Sequence, residues 1–303
     1  MGVDHGHGHA TAASAHRGKL IIVLLLTVGV MVAQIVGGLL AGSLALLADA
    51  GHMAADAFGI VAALLAVWMA SRPSCSKRTF GLQRAEILAA AGNALLLFGL
   101  CVYIAYEAIQ RLFTPQPVTG PTMLVVAAIG LAVNIGGLVL LRTGQRESLN
   151  LRGAYLEVLG DTVSSLGVIV AAVVIWLTDW RQADSIVSLG IALFIVPRAW
   201  NLLREAVHVL LEAVPREVDL DEVRSHILSQ NGVLDVHDLH AWTITSGMPV
   251  LSAHVVVEEE LLRDTGRMLD ELHMCLSGHF DVEHSTLQLE PAGHINHEGA
   301  RHQ

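Results

Sequence analysis

For its first two thirds the chain alternates between long apolar runs and short polar connections, and then the period changes. Six runs stand out: Leu20–Leu40, Leu44–Ala70, Ile87–Gln110, Met123–Leu141, Leu156–Leu177 and Ala183–Leu203. Each approaches or exceeds the about 20 helical residues needed to cross a hydrocarbon layer roughly 30 Å thick. In lipid every backbone amide must be satisfied within the chain, so the runs predict six transmembrane helices. Beyond them the pattern shortens. Asp219–Ser229 has helical periodicity, Val233–Thr245 and Val250–Val257 alternate as strands do, Leu261–Ser277 reads as a helix and Ser285–Leu289 as a strand. This α-β-β-α-β order predicts a small two-layer α+β domain with its helices on one face of a short sheet.

Four segments are expected: a polar His- and Gly-rich tail over residues 1–18, a membrane domain over 19–205, the α+β domain over 206–291, and a disordered tail over 292–303. The composition agrees with a membrane protein: 53% of the 303 residues are hydrophobic, 15% are charged and the mean hydropathy is +0.56. The first run is too long for a signal peptide and reads as an uncleaved span. Arg17, Lys19, Arg72, Lys77, Arg78, Arg84, Arg142, Arg146, Arg152 and Arg204 fall on one side of the spans, and only Arg111 and Arg181 on the other. The positive-inside rule therefore puts both termini in the cytoplasm. The compact length and lack of an organelle-targeting segment suggest a bacterial cytoplasmic membrane. The net charge of −10 belongs mostly to the segment after the last span, which argues against nucleic acid as a partner. Cys75, Cys101 and Cys275 form no CxxC pair, so the spacing indicates neither a disulfide framework nor a thiolate zinc site.

Charged residues within the spans are costly, roughly 2.5–3.5 kcal/mol at mid-membrane, and so point to function. On a helix, residues four apart share a face: His52 stacks on Asp56 in the second span, and Glu157 on Asp161 in the fifth. Asp49 lies three before His52 on that same face. Imidazole nitrogen with carboxylate oxygen suits borderline divalent ions, and four such ligands make a zinc-like cage. Gln34, Asn93 and Asn134 read as bridges between helices, Glu107 with Arg111 as an interfacial ion pair, and Asp184 as the cap of the sixth helix. Gly37, Gly38, Gly136 and Gly137 read as sites of close helix approach.

These residues resemble the cation diffusion facilitator family of divalent-metal transporters. The resemblance rests on LLADAGHMAADAFGIVAALLA in the second span, RTFGLQRAEILAA before the third, AYLEVLGDTVSSLGVIVAA in the fifth, and VLDVHDLHAWTITSGMPVLSAHVVVE and EHSTLQLE in the soluble domain. It implies a homodimer of six-helix protomers in a lipid bilayer, with a cytoplasmic metallochaperone-like domain, exporting zinc or a similar ion in exchange for protons. His52, Asp56 and Asp161 match the family's transport ligands. Glu157 departs from the histidine common in zinc-selective members, and an extra oxygen ligand makes cadmium, cobalt, manganese or iron easier to accept. Crowded carboxylates cannot all ionise without a cation, so the metal-free site is expected to hold protons that entering metal displaces.

By the same resemblance His237, His254 and Glu290 match a cytoplasmic zinc site, to which His240 and His284 are further candidates, with Zn2+ as a regulatory ligand. His240 points away from His237 only if the strand is regular. Arg84 and Glu212 match an ion pair that holds the dimer. Gln83 stands where relatives often have histidine, so a site in that loop is expected to be absent or very weak. In the N-terminal tail, His5, His7 and His9 at alternate positions suit transient metal capture. Three other functions compete. A primary pump lacks its phosphate-binding loop, and an intramembrane metalloenzyme lacks HExxH and a spare general base. A membrane-anchored metal sensor leaves the buried pairs unexplained.

Overall fold

The structure is a computed structural model and describes residues 12–142, 149–280, 282 and 284–294. The helices are α1 (Ala12–Ala41), α2 (Leu44–Ala70), α3 (Ala85–Phe113), α4 (Gly120–Leu141), α5 (Leu149–Thr178) and α6 (Gln182–Leu210), followed by α7 (Leu220–Leu228), β1 (Val233–Thr243), β2 (Pro249–Val257), α8 (Thr265–Phe280) and β3 (His284–Pro291). The first six are each long and apolar enough to cross a membrane. The helix α1 reaches back to Ala12, inside the segment expected to be a tail, where an Ala-rich stretch favours helix. His5, His7, His9, most of the Arg142–Arg152 connection and residues 295–303 lie outside the described residues.

By contact the chain forms two compact units. One holds the described residues up to Val61 and Asn93–Asn201, the other Ala62–Gly92 and the described residues from Leu202 onward. In the first unit small and branched side chains pack into one core, among them Ala45, Ala48, Leu97, Met123, Ala127, Val168, Ala172 and Ala199. Large apolar residues such as Leu25, Leu39, Val139 and Leu177 point outward. An apolar exterior around a small-residue interior is what a lipid-facing bundle requires. A Cβ on Gly37 would come within 2.5 Å of Val126, so α1 and α4 touch through that glycine, whereas a Cβ on Gly136 would meet nothing within 4 Å. Close approach was expected at both, and Gly136 lies off the contact face.

The α1–α2 turn corrects the reading of Asp184. Instead of capping its own helix, Asp184 reaches the start of α2. Its carboxylate accepts from Ser43 Oγ at 2.6 Å, Leu44 N at 2.7 Å and Ala45 N at 3.2 Å. It thereby satisfies donors that a helix N-terminus leaves unpaired. Arg111, paired with Glu107 at 2.9 Å, donates to the Gly42 carbonyl at 2.9 Å. Gly42 has φ +69° and passes so close to Pro117 that a Cβ would lie 2.5 Å from its carbonyl oxygen. Only glycine fits there.

The second unit carries the α+β domain. The sheet order is β1-β2-β3, with β1 antiparallel and β3 parallel to β2. Leu251, Ala253, Val255 and Val257 of β2 form one face and pack with Val223 and Ile227 of α7 and Met268, Leu272 and Leu276 of α8. The i, i+4 spacing of those helical residues makes the apolar stripe. Asp219 caps α7, accepting from Asp221 N at 2.9 Å and Glu222 N at 3.3 Å. β1 stops at Thr243, short of the expected Thr245, because Met248 N closes a turn onto Thr245 O at 3.0 Å. Similarly α8 starts at Thr265, not Leu261. Asp264 leaves helical geometry at φ −131° and ends a short 3-10 turn over Leu261–Arg263.

Candidate metal centres

The candidate intramembrane ligands sit on α2 and α5 of the first unit. His52 Nε2 lies 3.4 Å from Asp56 Oδ2 and 4.0 Å from Asp161 Oδ1, so one imidazole faces a carboxylate from each helix. Glu157 joins the set through a residue that the sequence reading passed over. Arg198 of α6 places one guanidinium nitrogen 3.4 Å from Asp56 Oδ2 and the other 3.6 Å from Glu157 Oε1. It bridges α2 and α5 through these two carboxylates. The signal was present in the sequence as an arginine following Pro197 inside an apolar run. Asp49 is fully buried and accepts from Gln34 Nε2 at 2.6 Å, which ties α1 to α2 beside the site. Asn134 Nδ2 reaches Ser165 Oγ at 3.4 Å between α4 and α5. Asn93 packs on Gly59, where a Cβ would lie 2.5 Å from its amide nitrogen.

Access to this set is graded. Side-chain exposure rises from 5% at Asp161 and 9% at His52 through 13% at Asp56 to 35% at Glu157 and 53% at Arg198. Asp56 follows His52 along α2, Glu157 precedes Asp161 along α5, and Arg198 lies in the second half of α6. Exposure within the set therefore rises from the His52 and Asp161 end to the Glu157 and Arg198 end.

In the second unit His237, His254 and Glu290 converge, with one ligand atom from each within 4.8 Å of the others. His254 Nδ1 is 2.7 Å from Glu290 Oε1, His237 Nε2 is 3.5 Å from Glu290 Oε2, and the two rings are 5.1 Å apart. The sheet brings them together: His237 pairs with His254, and His254 with Gln288, two residues before Glu290. Glu290 is only 1% exposed, and a buried carboxylate between two imidazoles is a donor set that fits a borderline divalent ion.

His240 and His284 do not join this group. A bulge at Asp238 (φ +47°) sets His240 opposite Ser252, so it shares a sheet face with His237 but lies further along it, exposed. The strand is thus irregular, and the opposite-face condition does not hold. His284 also shares that face but is six residues from Glu290, about 20 Å along a strand. It stacks edge-on against Phe80 at 5.6 Å.

Arg84 and Glu212 form an ion pair at 2.7 Å within the one chain. Glu212 adopts φ +56° just past α6, where glycine is the inexpensive choice. A non-glycine residue there costs roughly 1–2 kcal/mol, which the ion pair with Arg84 partly offsets.

Comparison with known proteins agrees with this architecture. The model for the cation efflux transmembrane domain matches residues 20–211, and that for the cation efflux protein, cytoplasmic domain, matches 215–292. The chain belongs to the cation efflux, or cation diffusion facilitator, family. It is 44% identical to the metal cation efflux system protein CzcD of Cupriavidus metallidurans over 302 residues, covering 100% of this chain and 94% of the relative. It is 39% identical to zinc transporter ZitB of Escherichia coli, covering 96% of each, and 36% identical to the cadmium, cobalt and zinc/H(+)-K(+) antiporter of Bacillus subtilis, covering 99% and 95%. A solved metal-bound C-terminal domain of the C. metallidurans CzcD transporter is 42% identical over 24% of this chain and 99% of its own length, with a TM-score of 0.23. The protein is a multi-pass metal-cation efflux transporter and not an enzyme.

Proposed function

We propose that the protein exports zinc from the cytoplasm in exchange for protons, as a homodimer in a bacterial cytoplasmic membrane with both termini inside. His52, Asp56, Glu157 and Asp161 hold the ion in transit, and Asp49 supports them. The observation that carries this reading is the meeting of His52 with Asp56 and Asp161 in an apolar bundle, with Arg198 bridging Asp56 and Glu157. In that arrangement the arginine neutralises carboxylates that metal would neutralise, and arriving metal displaces it along with the protons. The graded exposure corresponds to a form open to the cytoplasm. Zinc transport by ZitB and the mixed cadmium, cobalt and zinc transport named for the B. subtilis relative both fall within what a His/Asp/Glu/Asp set accepts.

Glu157 sets how widely the site accepts. With zinc, cadmium, cobalt and manganese flux compared in proteoliposomes, Glu157→His is expected to raise the zinc share and lower manganese most, since imidazole disfavours the hardest ion. Unchanged ratios would remove Glu157 from the selectivity argument.

The domains act as 19–205 for transport and 206–291 for cytoplasmic metal binding, with the Arg84–Glu212 pair steadying the dimer. His237, His254 and Glu290 form the regulatory site. In full-length protein, His254→Ala is expected to lower bound zinc by about one ion per chain while Asp161→Ala leaves that site filled. Equal stoichiometry in wild type and His254→Ala would contradict the assignment.

A further inference from the structure

A second convergence of ligand-type side chains lies on the helix layer of the α+β domain, across the sheet from Glu290. His226 occupies the last turn of α7, and Cys275 and His279 lie one turn apart in α8. One ligand atom from each falls within 4.8 Å of the others. Cys275 Sγ is 3.9 Å from His226 Nδ1, and the two imidazole centroids are 4.8 Å apart. Tetrahedral zinc, at about 2.0–2.1 Å from nitrogen and 2.3 Å from sulfur, needs ligand atoms roughly 3.3–3.8 Å from one another. Small rotamer changes close that difference.

The surroundings orient the group for an ion. His279 Nδ1 donates to the Cys275 carbonyl at 3.0 Å. A carbonyl only accepts, so the proton is on Nδ1 and Nε2 keeps its lone pair, with the outer nitrogen fixed as in ligating histidines. Phe280 packs edge-on against His226 at 5.1 Å and restricts its ring. Both helices end here, and helix C-termini favour cations. Cys275 is buried beside core residues Leu272 and Leu276, while His279 is exposed, so the group is anchored below and open to solvent above.

We propose that His226, Cys275 and His279 form an additional cytoplasmic metal site for a borderline or soft divalent ion, zinc or cadmium, with solvent completing the coordination. Its thiolate distinguishes it from the harder His237, His254 and Glu290 set. Occupancy would pin α7 to α8 without involving the opposite sheet face. The site goes beyond the transport reading and stands whether or not that reading holds.

The test uses full-length protein in detergent carrying Cys75→Ser and Cys101→Ala, so that Cys275 is the sole thiol, with Co2+ as probe. A sulfur-to-cobalt charge-transfer band in the near ultraviolet is expected, absent in Cys275→Ser and weakened or shifted in His279→Gln. Because His279 is exposed, that second variant does not threaten the core. Zinc at about ten times its dissociation constant is expected to slow alkylation of Cys275 roughly 10-fold, by occupancy. A single-thiol protein with no charge-transfer band, or alkylation unaffected by zinc, would overturn the proposal.

Discussion

Asp161→Ala protein reconstituted into liposomes is expected to carry zinc at about one-hundredth of the wild-type rate or less. Loss of an outer partner of a metal site already costs roughly 10–100-fold in affinity, and Asp161 is proposed as a direct ligand. Its carboxylate is 5% exposed and lies 4.0 Å from His52 Nε2, so alanine removes a buried oxygen donor from the centre of the set. The helix bundle is expected to remain folded. Removing a buried carboxylate relieves desolvation, and an unfolding temperature in detergent equal to that of the wild type serves as the folding control. Near-normal flux in Asp161→Ala would remove this residue from the transport path.

The second large effect is structural. Asp184→Ala strands the Ser43 hydroxyl and the Leu44 and Ala45 amides at the buried start of α2. Each of the three unsatisfied buried donors costs about 1–3 kcal/mol, so a loss of at least about 3 kcal/mol is expected. At about 2–4 °C per kcal/mol the unfolding temperature in detergent should fall by roughly 10 °C. Asp184→Asn keeps one acceptor oxygen and should lose less. A variant Asp184→Ala as stable as wild type would show that the α1–α2 turn is held by Arg111 and the helix packing alone.

What could be read from the sequence follows from how local each signal is. The six spans, the α-β-β-α-β order and the stacking of His52 on Asp56 depend on periodicity within single elements, and periodicity is visible in one dimension. The pairing of His254 with Glu290 came from resemblance, since the two stand on different strands whose register no spacing reveals. Asp184 was misassigned because its partners lie 140 residues away in sequence, and nothing local distinguishes a carboxylate that caps its own helix from one that caps another. Arg198 was missed because a single arginine in the second half of a span resembles one reaching back to the interface. CxxC spacing gives no signal at Cys275. The relevant pattern was Cys275 and His279 four apart on one helix face, and His226 is brought to them only by the packing of α7 on α8.

The proposed exchange requires one set of side chains to bind metal and protons in alternation. The most direct measurement records zinc flux and internal pH together in wild-type proteoliposomes under an imposed pH gradient. Zinc movement accompanied by opposite proton movement is expected, with both slowing together when the pH gradient is collapsed. Zinc flux that persists at full rate without a gradient, and without any change in internal pH, would contradict it.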